Sequence, residues 1–438
     1  MDPNAPSARI KQYVTLLREN PNFRLLWLAQ IVSELGDWFY AIALYSLLLD
    51  LTGSAKSVGI AVVLQVLPQV LIAPAAGALN DRLSRTRLMI FADLLRACVV
   101  LAMIFIRSAD MVWLIYVLLP IETMAWALFE PGRSAVVPTI LPRKQLVTGN
   151  ALSAATWSFN LAIGATLGGL VAALFGRTTA FILNAGTFLL SAWFISRMRI
   201  HEEHIQNRPS FRWLELLDFR PTLDGLRYVR GDSRRIAVLC LKGGLGLMGA
   251  HNVLLPIFGE RIFPATKVLQ DWNRAGMLGM SLLMAWRGVG ALIGPLVGAA
   301  WAGDSRRRMR FGIGVGFAMT AIGYSLLSVA PNGLVAGLCI VVAHAGSSII
   351  WVFSTTLLML LTENRYRGRV FSAEYALHFA MVSTASFGVS SAIDGGMSPR
   401  DAALLMGLSL LLPLSLWILA QRFWKNTPDL PISDDGDA

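Results

Sequence analysis

The stretch "FRLLWLAQIVSELGDWFYAIALYSLLL", residues 23–49, decides the fold class. A helix rises about 1.5 Å per residue, so roughly 20 apolar residues cross the hydrocarbon core of a bilayer. This run is longer than that. Runs of similar length recur down the chain, separated by short polar segments. Twelve spans are expected, near 23–49, 57–79, 87–106, 111–130, 146–174, 178–196, 234–258, 277–302, 309–330, 333–361, 369–393 and 401–424.

Composition agrees. Of the 438 residues, 55% are hydrophobic and 15% are charged, with a mean hydropathy of +0.58. A soluble domain carries roughly 25% charged residues. The expected fold is an all-α polytopic membrane protein with twelve transmembrane helices in two six-helix halves. The expected organisation is an N-terminus at 1–22, a first half at 23–196, a connector at 197–233, a second half at 234–424 and an acidic tail at 425–438. The first 20 residues carry charges and no apolar core, so no cleavable signal peptide is expected. In the connector, Pro221 is placed as a first-turn proline, and Leu223, Leu226 and Val229 follow at helical spacing. A helix lying on the membrane surface is expected there.

The net charge of +11 reflects orientation rather than nucleic-acid binding. With residues near a span end assigned to the adjoining segment, 28 of the 38 Lys and Arg residues fall on one side of the expected spans and 7 on the other; Arg96, Lys242 and Arg287 lie well inside spans. By the positive-inside rule both termini are cytoplasmic. Cys98, Cys240 and Cys339 fall in spans without metal or disulfide spacing and are expected to be core thiols. Basic turns recur six spans apart: "GALNDRLSRTR" after span 2 matches "GAAWAGDSRRR" after span 8, and "EPGRSAVVP" after span 4 matches "ENRYRGRVFS" after span 10. Paired halves of this kind are a common transporter plan, with the site between them near the midplane.

"GALNDRLSRTR", Gly77 to Arg87, resembles the G-x-x-x-D-R-x-G-R-x-x signature of the major facilitator superfamily. Gly77, Asp81, Arg82 and Arg85 match, and Ser84 replaces a glycine. "NFRLLWLAQIVSELGDWF", "LTGSA", "FADLLRA", "NAL" at Asn150 to Leu152 and "RGRVFS" resemble the drug:proton antiporter branch that includes macrolide and siderophore exporters. The resemblance implies a cytoplasmic gate in which Asp81 opposes the start of span 11, with Glu130 and Arg133 as partner charges at the cytoplasmic end of span 4. On the residues alone, Gly77 permits close helix approach and Arg85 and Arg87 serve topology equally well. "GATLGG" in span 5 resembles the branch's glycine-rich motif without its proline. "RGVGALIGPLVG" places Gly290, Gly294 and Gly298 on one face, where packing is sufficient explanation. "GIGVG", Gly312 to Gly316, lacks the strand that a nucleotide fingerprint requires.

Charges inside spans are costly and ask for a reason. Glu34 and Asp37, three apart on span 1, border a small polar face with Ser33 and Gly36. They are candidates for proton coupling, or for a structural hydrogen bond to another helix. Asp93 and Arg96, also three apart, are expected to form an internal ion pair. Glu122 follows Pro120 without a local basic partner and is a second coupling candidate. Lys242 and Arg287 are candidates for pairing with a carboxylate or attracting an anionic substrate. Glu374 and His378, one turn apart, form a possible titrating pair. His251 and His344 stand alone and read as core histidines, and "HEEH" at His201 to His204 reads as a solvated charge run. Among the intramembrane aromatics, which include Trp38, Tyr45 and Trp351, Trp157 with Asn160 is the pair selected as cavity-lining.

The resulting expectation is proton-coupled export of a small amphipathic compound, drug-, macrolide- or siderophore-like, by a monomer in the bacterial cytoplasmic membrane. A lipid or lysolipid transporter and a nutrient-uptake carrier are the alternatives. The partners are the substrate, protons and lipid, with no nucleic acid. No nucleophile–base pair, metal cluster or P-loop appears, so no enzyme activity, cofactor or metal is expected.

Overall fold

A computed structural model describes residues 6–202, 218–303 and 305–424; they contain helices and turns, and no strand occurs among them. In chain order the helices are α1 (Pro6–Glu19), α2 (Pro21–Thr52), α3 (Ala55–Arg82), α4 (Arg85–Met103), α5 (Val112–Ile140), α6 (Leu146–Phe175), α7 (Arg177–Ser196), α8 (Arg220–Arg230), α9 (Ser233–Gly246), α10 (His251–Ile257), α11 (Trp272–Ala302), α12 (Arg306–Leu327), α13 (Gly333–Leu361), α14 (Arg367–Asp394), α15 (Pro399–Ser409) and α16 (Leu411–Ala420).

Among the described residues, ten helical segments are long and apolar enough to cross a membrane: α2, α3, Ala109–Ile140, α7, Ser233–Ile262, α11, α12, α13, α14 and Pro399–Ala420. Helices also occupy the two remaining expected places. There, α4 carries Arg85, Arg87, Asp93 and Arg96, and α6 contributes a shorter apolar stretch, Ile163–Phe175. Ser233–Ile262 is not one continuous α-helix. A 3-10 turn at Leu247–Ala250 separates α9 from α10, and a π turn follows at Phe258–Ile262.

Local chemistry sets the boundaries. Asn20 accepts from the Phe23 amide (2.9 Å) to start α2, and Gly53 ends it in the left-handed region (φ 63°). Ser84, the residue that departs from the family signature, is the N-cap of α4 and accepts from the Arg87 amide. Asp232, Ser305 and Asn332 cap α9, α12 and α13 in the same way. The largest boundary error of the sequence reading is in span 4, where "EPGRSAVVP" reads as a loop. Instead α5 continues through Pro131 and Pro138 to Ile140. Prolines are tolerated in membrane helices because neighbouring groups re-satisfy the freed backbone. Glu130 and Arg133 therefore sit inside α5, not at its end.

The described residues fall into two compact units, one drawn from Met1–Asp218 and Pro256–Ala285, the other from Phe219–Leu255 and Trp286–Ala438. In the first, α2 packs on α6 and α7, α4 on α5 and α7, and α3 on α5. Phe23, Leu26, Met89, Phe129 and Val136 form a buried cluster into which α1 inserts Leu16. The segment 256–285 belongs to this unit through specific contacts. The Ser281 hydroxyl donates to Ala165 O (2.8 Å), Arg261 Nη2 donates to Gly53 O (2.6 Å), and Gly169 has no room for a Cβ against Ser281. Gly164 and Gly168 pack on Trp38, so "GATLGG" serves close packing. Gly77 does not: a Cβ there meets nothing within 4 Å. The expected close approach at Gly77 is absent.

In the second unit, α12 packs on α13 and α15, and α14 on α8 and α9. Gly290 and Gly294 of α11 lie against the backbone carbonyls of Val341 and Ala345, and Gly316 of α12 against that of Gly346. Both glycine stripes are packing surfaces. The expected connector helix is α8, but its buried positions are Gly225 and Val229, while Leu223 is exposed. Gly225 rests on the backbone of Arg369, and the Tyr228 ring stacks on Tyr366 at 4.2 Å. Glu203 and His204 of "HEEH", most of the "FRWLELLDF" stretch and the acidic tail lie outside the described residues. Of the three cysteines only Cys339 is buried, so the core-thiol expectation fails for Cys98 and Cys240.

Candidate functional site

Arg96 organises the first unit's interior. It lies on α4 with 2% of its side chain exposed. Its Nη2 donates to Asp37 Oδ1 on α2 and its Nε to Glu122 Oε1 on α5, both at 2.8 Å. Nη1 reaches the Ser33 hydroxyl at 3.4 Å, and the Phe188 ring of α7 lies 4.0 Å from the guanidinium carbon. The expected partner, Asp93, is the most distant at 3.9 Å. The expected Asp93–Arg96 pair is present but is the loosest of three: Arg96 chiefly serves Asp37 and Glu122, and Glu122, without a local basic partner, finds one 26 positions away. An i, i+3 spacing brings side chains near each other, but here the guanidinium fork is turned toward other helices. Asp93 is fully buried beside the Ser191 hydroxyl and makes no well-formed hydrogen bond among the described residues.

Glu34 belongs to a separate network. It accepts from Gln30 Nε2 (2.8 Å) on its own helix and from Asn160 Nδ2 (2.9 Å) on α6. Gln30 also donates to Ser153 O (3.1 Å) and accepts from Arg133 Nη1 (3.3 Å). Arg133 grips Glu130 with two donors, the Nε contact at 2.9 Å. Glu130 and Arg133, expected beside Asp81, are thus directed to Gln30 and Glu34. Asp81 is exposed at the end of α3; Arg85 donates to the carbonyls of Asn80 and Ala135, both at 3.2 Å. At the start of α4, Glu202 also accepts from the Thr86 amide (3.0 Å). Asn160 is 2% exposed and Trp157 is 58% exposed, so the two residues selected as a pair have different surroundings. A recess of about 400 Å³ elsewhere in the unit, lined by Asp50, Arg107, Arg177 and Arg274 among others, includes none of the expected site residues.

In the second unit Lys242 is buried on α9. Its Nζ donates to Thr355 Oγ1 (2.9 Å) and lies 3.2 Å from the centroid of the Trp351 ring. Glu374 of α14 is buried, with Oε1 unpartnered among the described residues. His378 turns away from Glu374: its Nδ1–H donates to the Lys242 carbonyl (2.9 Å), and its ring meets Trp351 edge-on at 5.2 Å. Arg287 lies in the electrostatic surroundings of His251, His344 and Tyr324. The two histidines do not stand alone. Their rings meet edge-on at 5.0 Å, and the Tyr324 hydroxyl is 2.8 Å from His344 Nε2. A separation of more than 90 residues hid this cluster from a reading by local spacing. Among the described residues no group of three or more metal-ligating side chains occurs.

These features define a multi-pass helical membrane protein with charged networks buried in each unit. Residues 26–386 match the model of the Major Facilitator Superfamily, and the chain belongs to that family of transporters. It is 24% identical over 401 residues to the putative bacilysin exporter BacE of Bacillus subtilis (strain 168), covering 91% of this chain and 93% of that one. It is 25% identical over 253 residues to macrolide efflux protein A of Streptococcus pyogenes, covering 56% and 60%. The fold is similar to that of the nucleoside transporter NupG, with a TM-score of 0.72 at 11% identity over 91% of this chain and 99% of that one. The similarity to a putative exporter thus runs over nine-tenths of the chain, and that to a macrolide efflux protein over about half, consistent with the drug-exporter branch.

Proposed function

We propose that the protein exports a small amphipathic compound across the bacterial cytoplasmic membrane, driven by proton entry, as a monomer with twelve spans and both termini in the cytoplasm. The observation that carries this reading is the shared guanidinium. Arg96 links α2, through Asp37, to α5, through Glu122. A proton on Asp37 cancels one of the two attractions and leaves the other, so loading a proton loosens the α2–α4 link while Arg96 stays anchored on α5. Proton occupancy and helix contact are then one equilibrium, which is what alternating access requires of a coupling site. Glu34, tied to Asn160 on α6, links a second carboxyl to a second helix in the same way. The export direction follows the exporter and efflux names of the relatives above. Asp81, Arg82 and Arg85, with Gly77, Glu130 and Arg133, remain the proposed cytoplasmic gate.

The test uses everted membrane vesicles holding a respiratory proton gradient. A substrate is first found by thermal-shift screening of the purified protein against macrolides, siderophores and lysolipids. Adding it collapses part of the gradient in the wild type. Asp37→Asn with Glu34→Gln abolishes that response, and a full response in the double variant refutes proton coupling at these residues.

A further inference from the structure

We infer that Lys242, Glu374 and Trp351 form a subsite for a zwitterionic head: a carboxylate and an ammonium carried close together on the transported molecule. The inference rests on reading the chain as a small-molecule transporter and names the substrate chemistry.

Three observations carry it. An ammonium has three donors and gains most from a carboxylate. Lys242 Nζ spends one donor on the Thr355 hydroxyl and rests on the indole face of Trp351. Among the described residues no carboxylate lies in ion-pair contact with it; Thr355 and Trp351, one turn apart on α13, hold it back. Glu374 is the mirror case. It is 1% exposed, its Oε1 has no hydrogen-bond partner among the described residues, and its principal charged neighbour is Lys242. Two opposite charges thus share one interior without satisfying each other.

Aromatic side chains and one interhelical hydrogen bond surround them. The His378 hydrogen bond to the Lys242 carbonyl pins α14 to α9 at this level. Tyr375 is 43% exposed and lies 5.9 Å from Trp351, and Phe379 lies 5.9 Å from Tyr375. This aromatic ledge suits the apolar body of a ligand. A carboxylate reaching Lys242 completes the ammonium's donors. An ammonium set beside it takes the free oxygen of Glu374 and the edge of the indole face, where cation–π attraction adds to the ion pair. A purely cationic or purely anionic ligand satisfies one residue and leaves the other as it was.

The experiment uses four probes on one scaffold: L-phenylalanine (zwitterion), L-phenylalaninamide (cation), N-acetyl-L-phenylalanine (anion) and N-acetyl-L-phenylalaninamide (neutral). Binding to the purified full chain in detergent is measured by titration calorimetry. The zwitterion is expected to bind at least tenfold more tightly than the other three. Lys242→Met removes its advantage over the cation, and Glu374→Gln removes its advantage over the anion. Where either variant fails to fold by thermal melt, Trp351→Phe and Thr355→Val, which keep both charges, are expected to narrow the zwitterion's advantage severalfold. Equal binding of all four probes, binding of none, or an order unchanged in the variants overturns the inference. No gradient is present in this assay, so failure of proton coupling in vesicles leaves it standing, and its own failure leaves the coupling test untouched.

Discussion

Removing Arg96 strips the counter-charge from Asp37 and Glu122 at once, each 2.8 Å from the guanidinium. At an effective dielectric constant near 20, one such pair is worth about 6 kcal/mol of gross attraction. Desolvation and repulsion among the carboxylates offset much of that gain. The cost of deletion is set instead by what remains: carboxylates in the protein interior with no cation. Breaking a buried pair in this way costs about 3–5 kcal/mol. In a background where Asp37→Asn, Asp93→Asn and Glu122→Gln have removed all three neighbouring charges, Arg96→Leu forfeits ordinary hydrogen bonds, at about 1–2 kcal/mol. The expected coupling is thus about 2–3 kcal/mol, well above the few tenths seen for independent sites. It is measured as a double-mutant cycle by equilibrium unfolding in mixed micelles. If Arg96→Leu costs the same in both backgrounds, the guanidinium is not the shared counter-charge described here.

Further tests address packing, capping and pH. Gly294→Val places a side chain against the Ala345 backbone and is expected to destabilise by about 1–3 kcal/mol in the same unfolding assay; the matched control Gly77→Ala meets open space and has little effect. Ser84→Ala removes the α4 cap and costs about 1 kcal/mol, whereas Ser84→Gly, which restores the family residue, costs a few tenths. Asp232 lies at the start of α9, outside the span. Burial pushes its carboxyl up, but hydrogen bonds from the Arg234 side chain and amide outweigh this and hold it below the usual range. A carboxyl lowered on folding contributes stability that is present above its unfolded value, about 3.9, and is lost as pH falls through its folded value. Melting temperature followed below pH 4 should therefore fall less steeply in Asp232→Asn than in the wild type.

The helices were legible because a bilayer imposes one length, and apolar runs of that length are hard to mistake. Where a proline and charges stood together, as in "EPGRSAVVP", the same rule failed: a membrane helix absorbs what would end a soluble one. The site was legible as a set of residues but not as a set of contacts. Glu34, Asp37, Glu122 and Arg96 each stand out as a charge in an apolar run. That Arg96 prefers a carboxylate 59 positions away to one three positions away depends on helix rotation, which one sequence does not encode locally. For Glu130 and Arg133 a family pattern suggested a gate, but not the contacts with each other and with Gln30 that α5 gives them. His251 and His344 look alike as isolated residues; only packing makes them one cluster.

The charges on α4 also bear on how the protein is made. Central Arg and Asp residues each cost about 2.5–3.5 kcal/mol on insertion scales. In the twelve-span reading, α4 must enter the bilayer carrying Asp93 and Arg96. Of the partners that offset this cost, Asp37 and Ser33 emerge from the ribosome earlier, whereas Glu122 and Phe188 follow later. The earlier helix α2 thus already carries groups that can meet Arg96 when α4 enters, which ties the order of the helices along the chain to the order in which their charges are met.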